Sequence, residues 1–169
     1  MATAVRRRVL VAVAAASSAL LAGCGFELRR APELRFRTIR FTGFSQRSPL
    51  AAELVRQIDA SATTRVVEAA KDAEVVLRVE EEARERSVVA TTAAGQVREF
   101  ELRARLRFTV LSASGRELLP TSEILLKRNL TYTETAALAK EEEEAFLFRA
   151  MQTDIVSQVL RRLASIGTV

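Results

Sequence analysis

Strict alternation of apolar and polar residues between positions 99 and 110 constrains the fold of this chain more than any other stretch. The even positions carry Phe100, Leu102, Ala104, Leu106, Phe108 and Val110, and the odd positions carry Glu99, Glu101, Arg103, Arg105, Arg107 and Thr109. Alternate residues of a β-strand point to opposite faces, so a period of two predicts a strand. The sequence therefore predicts one long strand with a buried face and a polar face.

Two segments on the amino-terminal side also have the composition of strands. Residues 34–42 predict a strand whose apolar positions change phase between Phe36 and Ile39. That change favours a strand covered on both sides, or a β-bulge. The β-branched segment Thr64–Val67 is short, and it is either a brief strand or part of a loop.

The chain on either side of the alternating strand also predicts strands. Alternation that begins at Val75 indicates a strand entering a charged stretch that runs through Glu85. Ser87–Gln96 contains a glycine and predicts a hairpin tip or loop. Ser112–Gly115 predicts a turn, and Pro120 precedes the expected last strand. Consecutive strands of this kind favour an antiparallel arrangement in this part of the chain.

Two helices are indicated by their start signals and by the spacing of their apolar residues. Ser48 is a suitable N-cap, and Pro49 suits the first helical position, where its missing N–H costs nothing. This helix should end near Ala60. A second, longer helix is expected from residue 134 or 137 to residue 164, because apolar side chains recur there every four residues.

The order of these elements is strand, helix, three strands, helix (β-α-β-β-β-α). It predicts an α+β fold, a two-layer sandwich with an antiparallel or mixed sheet of about four strands. Both helices should pack on one face of that sheet. Residues 34–169 are long enough for one domain with its own core, and no internal repeat is visible.

The first 24 residues resemble the signal peptide of a bacterial lipoprotein. A basic segment, Arg6–Arg8, precedes an apolar run at 9–20 that is too short to span a bilayer. Leu-Ala-Gly-Cys at 21–24 is similar to a lipobox, which implies cleavage before Cys24, diacylglycerol on its thiol and acylation of the new amino terminus. The alternatives are an ordinary secretory signal with a chance cysteine, or a short membrane anchor. We therefore expect a signal at 1–23 and a lipidated tether at 24–33.

Composition argues against catalysis by this chain. The sequence has no histidine and one cysteine, so it lacks the commonest general base, the commonest metal ligand and a second thiol. It has no glycine-rich phosphate loop and no calcium-loop spacing. We expect no enzyme activity, no cofactor, no metal and, for an exported domain, no nucleic-acid partner. Three of the 26 basic residues lie in the signal, so the remainder nearly balances its 21 acidic residues.

The polar face of the alternating strand is the candidate binding surface. Arg103, Arg105 and Arg107 would stand about 6.6–7 Å apart along it. Lys127 of the following strand can join this ladder of cations. Guanidinium groups match phosphate through paired donors. The same residues equally fit a solvated face that is balanced by nearby glutamates, so the residues alone indicate only an anchored α+β binding module.

Several short motifs, taken in order, resemble the lipopolysaccharide-assembly lipoprotein LptE (RlpB) family. They are Cys-Gly-Phe-Glu-Leu-Arg at 24–29, Gly-Gln at 95–96, Arg-Glu-Phe at 98–100, Leu-Ala-Lys-Glu at 138–141, and a helix with Phe148, Met151, Asp154, Gln158, Arg162 and Leu163. The resemblance covers essentially the whole chain after the signal.

This resemblance implies a lipoprotein of the outer membrane, anchored on its periplasmic side through Cys24. Gly25, rather than Asp, after the cysteine also favours the outer membrane. The resemblance also implies a plug in the lumen of a β-barrel partner, LptD, which the lipoprotein helps to fold. The lipoprotein would bind lipopolysaccharide, and the pair would deliver it to the outer leaflet.

Lys140 is the basic residue that the resemblance assigns to lipopolysaccharide. Ala93 and Ala94 stand where some relatives have a basic residue, so Arg98 or Arg103 would have to substitute there. A structural periplasmic lipoprotein that tethers envelope layers or scaffolds another assembly complex is the main alternative. An envelope hydrolase is the third reading.

Overall fold

A five-stranded mixed sheet, in the order β2-β1-β3-β4-β5, forms one layer of the protein, and two helices form the other. The structure, a computed structural model, describes residues 33–61 and 63–167. The elements are β1 (Thr38–Thr42), α1 (Pro49–Asp59), β2 (Arg65–Val66), β3 (Val75–Thr91), β4 (Val97–Ser112), β5 (Glu117–Thr131) and α2 (Ala137–Ala164), with 3-10 turns at Ala70–Asp72 and Glu134–Ala136. The predicted α+β class, the mixed sheet and both helices are confirmed.

The helix α1 begins as its sequence predicts. The side-chain oxygen of Ser48 accepts a hydrogen bond from the backbone N–H of Ala51 at 3.0 Å, and Pro49 occupies the first turn. The Ser48 hydroxyl also donates to Glu82 of β3 at 2.9 Å, which ties the start of the helix to the sheet. The helix then buries Leu50, Leu54 and Ile58.

The core lies between the helices and one face of the meander formed by β3, β4 and β5. The even residues of β4 from Leu102 to Val110 are buried there, whereas Phe100 is only half-buried. The helix α2 covers them with Met151, Ile155, Val156, Val159, Leu160 and Leu163. In β4 the apolar, even-numbered residues therefore face the core, and the polar, odd-numbered residues face the opposite side of the sheet.

The sheet has two ends, a proximal end and a distal end. β1 pairs in parallel with β3 from Ile39↔Val75, and β3 begins opposite the end of β4, at Val75↔Ser112. We call this the proximal end, because the chain enters the described domain here. The distal end is the β3–β4 turn at residues 92–96. β3 has 17 residues, so the two ends lie about 55 Å apart along the strand.

Several element predictions are wrong in detail. The sheet has five strands rather than four, because residues 65–66 add a short parallel strand beside β1. The first strand begins at Thr38, although Leu34 and Phe36 before it are buried in the same core as Ile39.

Two further boundaries differ at the hairpins. Residues 87–91 belong to β3 rather than to a loop, because their backbone pairs with the start of β4. Pro120 lies within β5, which is an edge strand and therefore tolerates a residue without an N–H.

The amino-terminal predictions concern residues that lie outside the described ranges. They are the signal at 1–23 and the tether as far as Pro32. None of the helices that the structure describes is long and apolar enough to cross a membrane.

Candidate functional site

The sheet face turned away from the helices, here called the charged face, carries the predicted ladder. Arg103, Arg105 and Arg107 all project from β4 on this side, as the alternation predicts. In register with them are Glu85, Ala83 and Glu81 on β3 and Lys127, Leu125 and Glu123 on β5. The face therefore mixes both signs of charge across three strands.

Glutamates of β3 pair with two of the three arginines. The Nε atom of Arg107 lies 3.0 Å from Glu80 Oε2, and its Nη1 atom lies 3.3 Å from Glu81 Oε2. Arg105 Nη1 lies 3.3 Å from the other oxygen of Glu81. Glu81 thus bridges two neighbouring rungs of the ladder.

The third arginine is paired within its own strand. Arg103 contacts Glu101 Oε1 at 2.5 Å, and Lys127 Nζ lies 3.8 Å from the other oxygen of Glu101. Each predicted cation of the ladder therefore already has a carboxylate partner. This geometry favours a charge-balanced surface over a row of unpaired cations that are ready to bind phosphate. An anion that displaced one of the glutamates would still contact the same guanidinium groups.

Glu80 is the residue of this face that sequence reasoning missed. It sits at a β-bulge between Val79 and Glu81, and accepts hydrogen bonds from Thr109 at 2.8 Å and Thr121 at 3.2 Å. The hydrogen bond from the Thr109 hydroxyl has the largest effect and lowers the pKa of Glu80. Desolvation opposes it, and the Thr121 hydroxyl and the Arg107 guanidinium lower the pKa further. Glu80 therefore stays ionised and links β3, β4 and β5.

The bulge also reverses which β3 residues face the helices. Before it, Val75, Leu77 and Val79 point to the core. After it, Arg84 and Arg86 point that way, because they pair with Ala104 and Leu102. The only signal in the sequence is that apolar residues at odd positions give way to the run of glutamates at 80–82.

Arg84 and Arg86 line a cleft of about 540 Å³ between β3 and the first half of α2. Arg86 makes an ion pair with Glu144 at 2.8 Å, and its guanidinium lies 4.8 Å from the centre of the Phe100 ring. Arg84 lies 5.8 Å from the centre of the Phe148 ring. These contacts hold the distal half of the sheet against α2.

Lys140 and Arg98 lie near the distal end, apart from the ladder. Lys140 Nζ contacts Glu143 Oε2 at 2.8 Å and the Thr131 hydroxyl at 3.2 Å, and its side chain is 20% exposed. Arg98 is exposed and lies near the start of β4, where the register with β3 shifts. The five candidate cations therefore form two groups, with Arg103, Arg105 and Arg107 on the charged face and the other two near the turn.

The fold, a two-layer α+β domain with one charge-balanced sheet face, occurs in solved lipoproteins. An uncharacterized lipoprotein B from Nitrosomonas europaea is 32% identical, with a TM-score of 0.71 over 83% of this chain and 91% of that one. The rare lipoprotein B from Shewanella oneidensis is 26% identical, with a TM-score of 0.63 over 76% of this chain and 95% of that one. A minor lipoprotein from Acinetobacter baumannii (19% identical, TM-score 0.63, 79% and 94% covered) shares the fold.

The family model described as "LptE: Lipopolysaccharide-assembly" matches residues 36–163. The chain belongs to the LptE family, and its role is in lipopolysaccharide assembly. A comparison with curated protein sequences finds no match. The resemblance drawn from the short motifs is thus confirmed.

Proposed function

We propose that this protein is a lipoprotein of the outer membrane, acylated on Cys24, that forms a complex with an LptD-type β-barrel. In that complex it acts as a plug in the lumen, a folding partner of the barrel and a binding module for lipopolysaccharide. It performs no chemical step. The observation that carries this proposal, together with the family, is the charged face, whose arginines are each matched by a carboxylate.

A polar, charge-mixed exterior suits the inside of a barrel. The lumen of an outer-membrane barrel is polar, whereas its apolar band faces the lipid. The charged face offers both signs of charge to such a wall, and the apolar side chains of β4 are already buried beneath the helices. The domain therefore has a core of its own and needs no apolar contact with the barrel to fold.

The length and direction of the sheet also fit this placement. The meander is about 55 Å long, which exceeds the roughly 25 Å apolar band of a barrel. Leu34 lies ten positions after Cys24, so the chain between them spans at most about 35 Å. The distal end, with Lys140 and Arg98, lies about 55 Å from the proximal end along the sheet. We place the proximal end on the periplasmic side and the distal end towards the outer leaflet.

Lys140→Glu should weaken lipopolysaccharide binding about tenfold, and Lys140→Glu with Arg103→Glu should weaken it further, in both cases without unfolding the domain. Loss of one charge-assisted hydrogen bond to phosphate has about this effect. Both side chains are at least partly exposed, so the core is not altered. Binding of purified lipopolysaccharide should be titrated, with circular dichroism as the test of folding. Arg161→Glu, an exposed change at the other end of α2, is the control. Unchanged binding by the folded double variant would contradict the proposed site.

The complex itself is tested by solubilising membranes and purifying the tagged full-length protein. We expect an LptD-sized barrel to co-purify, and depletion of the protein to stop lipopolysaccharide from reaching the cell surface. Replacing Cys24 with Ala should release the protein to the periplasm, and continued membrane association would point to the barrel partner as the real anchor. If the protein purifies without a barrel and depletion leaves the surface unchanged, it is instead a structural periplasmic lipoprotein that scaffolds another envelope complex.

A further inference from the structure

A cationic cleft of about 600 Å³ lies at the proximal end, away from both groups of candidate cations. Residues of the segment that enters β1 and of the segment that forms β2 line it: Leu34, Arg35, Phe36, Arg37, Thr38, Thr63 and Arg65. Three of the seven are arginines, and none is acidic. Neither the charged face nor the distal turn accounts for this cluster.

The backbone fixes the three arginines on one surface. Leu34 and Phe36 are buried in the core, so the intervening Arg35 and the following Arg37 project outwards. Pairing of Thr38 with Arg65 brings the third arginine alongside. The N–H of Arg65 donates to the carbonyl oxygen of Arg37 at 2.9 Å, which holds the two segments together.

Within the described part of the chain, these arginines differ from those of the charged face in having no carboxylate partner. Across residues 33–61 and 63–167, no carboxylate oxygen lies within 4.0 Å of the guanidinium nitrogens of Arg35, Arg37 or Arg65. Glu74 lies at the edge of the cluster, but there it accepts a hydrogen bond from the backbone N–H of Arg37 at 2.7 Å. Among the residues that the structure describes, the lining of the cleft is therefore cationic, and its three guanidinium groups have no carboxylate partner.

We propose that this cleft docks on the phosphate-bearing, anionic headgroups of the bilayer that holds the acyl chains of Cys24. The inference rests on the acylation proposed above, which keeps the cleft within about 35 Å of that bilayer. Arginine presents a planar set of donors that matches phosphate oxygens. Docking in this way would orient the domain on the membrane, whereas the lipid alone would only tether it.

The test uses the full mature protein, acylated at Cys24, in nanodiscs of phosphatidylcholine alone or mixed with phosphatidylglycerol. With Cys24 acylated, Ala113→Cys places a unique labelled thiol in an exposed turn at the proximal end, and Ala94→Cys does so at the distal turn. We expect lipids with a quencher on the headgroup to quench the proximal label more strongly in the anionic discs. High salt should abolish that difference, and the distal label should not respond.

Removing the three arginines should abolish the same difference. An arginine near an anionic surface contributes about 1 kcal/mol, so R35Q/R37Q/R65Q should lower the docking equilibrium about 100-fold. The matched control R47Q/R78Q/R149Q removes the same charge from exposed arginines that also have no carboxylate within 4.0 Å in the described ranges, and it should keep the quenching.

Equal quenching of the proximal label in neutral and anionic discs would overturn the proposal. An equal loss in the two triple variants would also overturn it, since net charge alone would then explain the effect. Intact-mass spectrometry of the protein purified from membranes checks the acylation separately: an unacylated amino terminus would disprove the acylation, and the proposal with it.

Discussion

Gly43→Ala should destabilise the domain by about 2–5 kcal/mol, although it adds a single methyl group. Gly43 follows β1 with φ at +87°, and a left-handed backbone costs a residue with a Cβ about 1–2 kcal/mol. A Cβ there would also lie 2.0 Å from the carbonyl oxygen of Val79, immediately before the bulge of β3. Because the neighbour is backbone rather than a flexible side chain, relieving this overlap should cost about 1–3 kcal/mol more.

Gly115→Ala separates the two contributions. Gly115 has nearly the same φ, +83°, but nothing lies within 4 Å of the position that its Cβ would take. It should therefore cost only the backbone part, about 1–2 kcal/mol. Chemical denaturation followed by circular dichroism measures both free energies of unfolding. A Gly43→Ala variant no less stable than Gly115→Ala would show that the approach to Val79 does not matter.

Phe108→Ala should lower the free energy of unfolding by about 3–5 kcal/mol. Phe108 is 0% exposed and is one of the largest fully buried side chains of the core. The guanidinium of Arg162 lies 5.9 Å from the centre of its ring, so the ring also contributes to holding α2 on the sheet. Its neighbours Arg107 and Thr109 belong to the Glu80 network, so we expect the charged face to loosen as well.

The matched control is Phe146→Ala in α2, where the same side chain is 62% exposed. That change should stay within about 0.5 kcal/mol of the unsubstituted protein, because it opens no cavity. Denaturation curves of the two variants under one set of conditions give the comparison. Similar losses for Phe108 and Phe146 would mean that burial in the β4 core is not what stabilises the sheet.

The sequence predicts the fold well wherever the repeat of apolar residues is long and uninterrupted. The alternation in β4 and the apolar spacing of α2 are each set by one buried face, so the local pattern and the tertiary structure agree. Residues 87–91 were predicted as part of a loop because their small and β-branched side chains carry no alternation. They form strand because β4 is long, and its backbone groups need partners out to Val97.

The candidate site was predictable in part for the same reason. The common face of Arg103, Arg105 and Arg107 follows from the period of two within one strand. Their pairing with Glu80 and Glu81 does not, because it depends on a bulge that shifts the phase of a different strand. Lys140 was assigned only through the family resemblance, since its place beside β5 depends on how the turn before α2 packs.

The parallel pairing of β1 with β3 has a consequence for the order of folding. β3, β4 and β5 are joined by short turns, so their hairpins close small loops and should form early. Ile39 must instead find Val75 across 36 residues that include α1, at a greater entropic cost. We therefore expect the segment nearest Cys24 to dock last, which would leave the amino terminus accessible to processing and acylation while the rest of the domain is already structured.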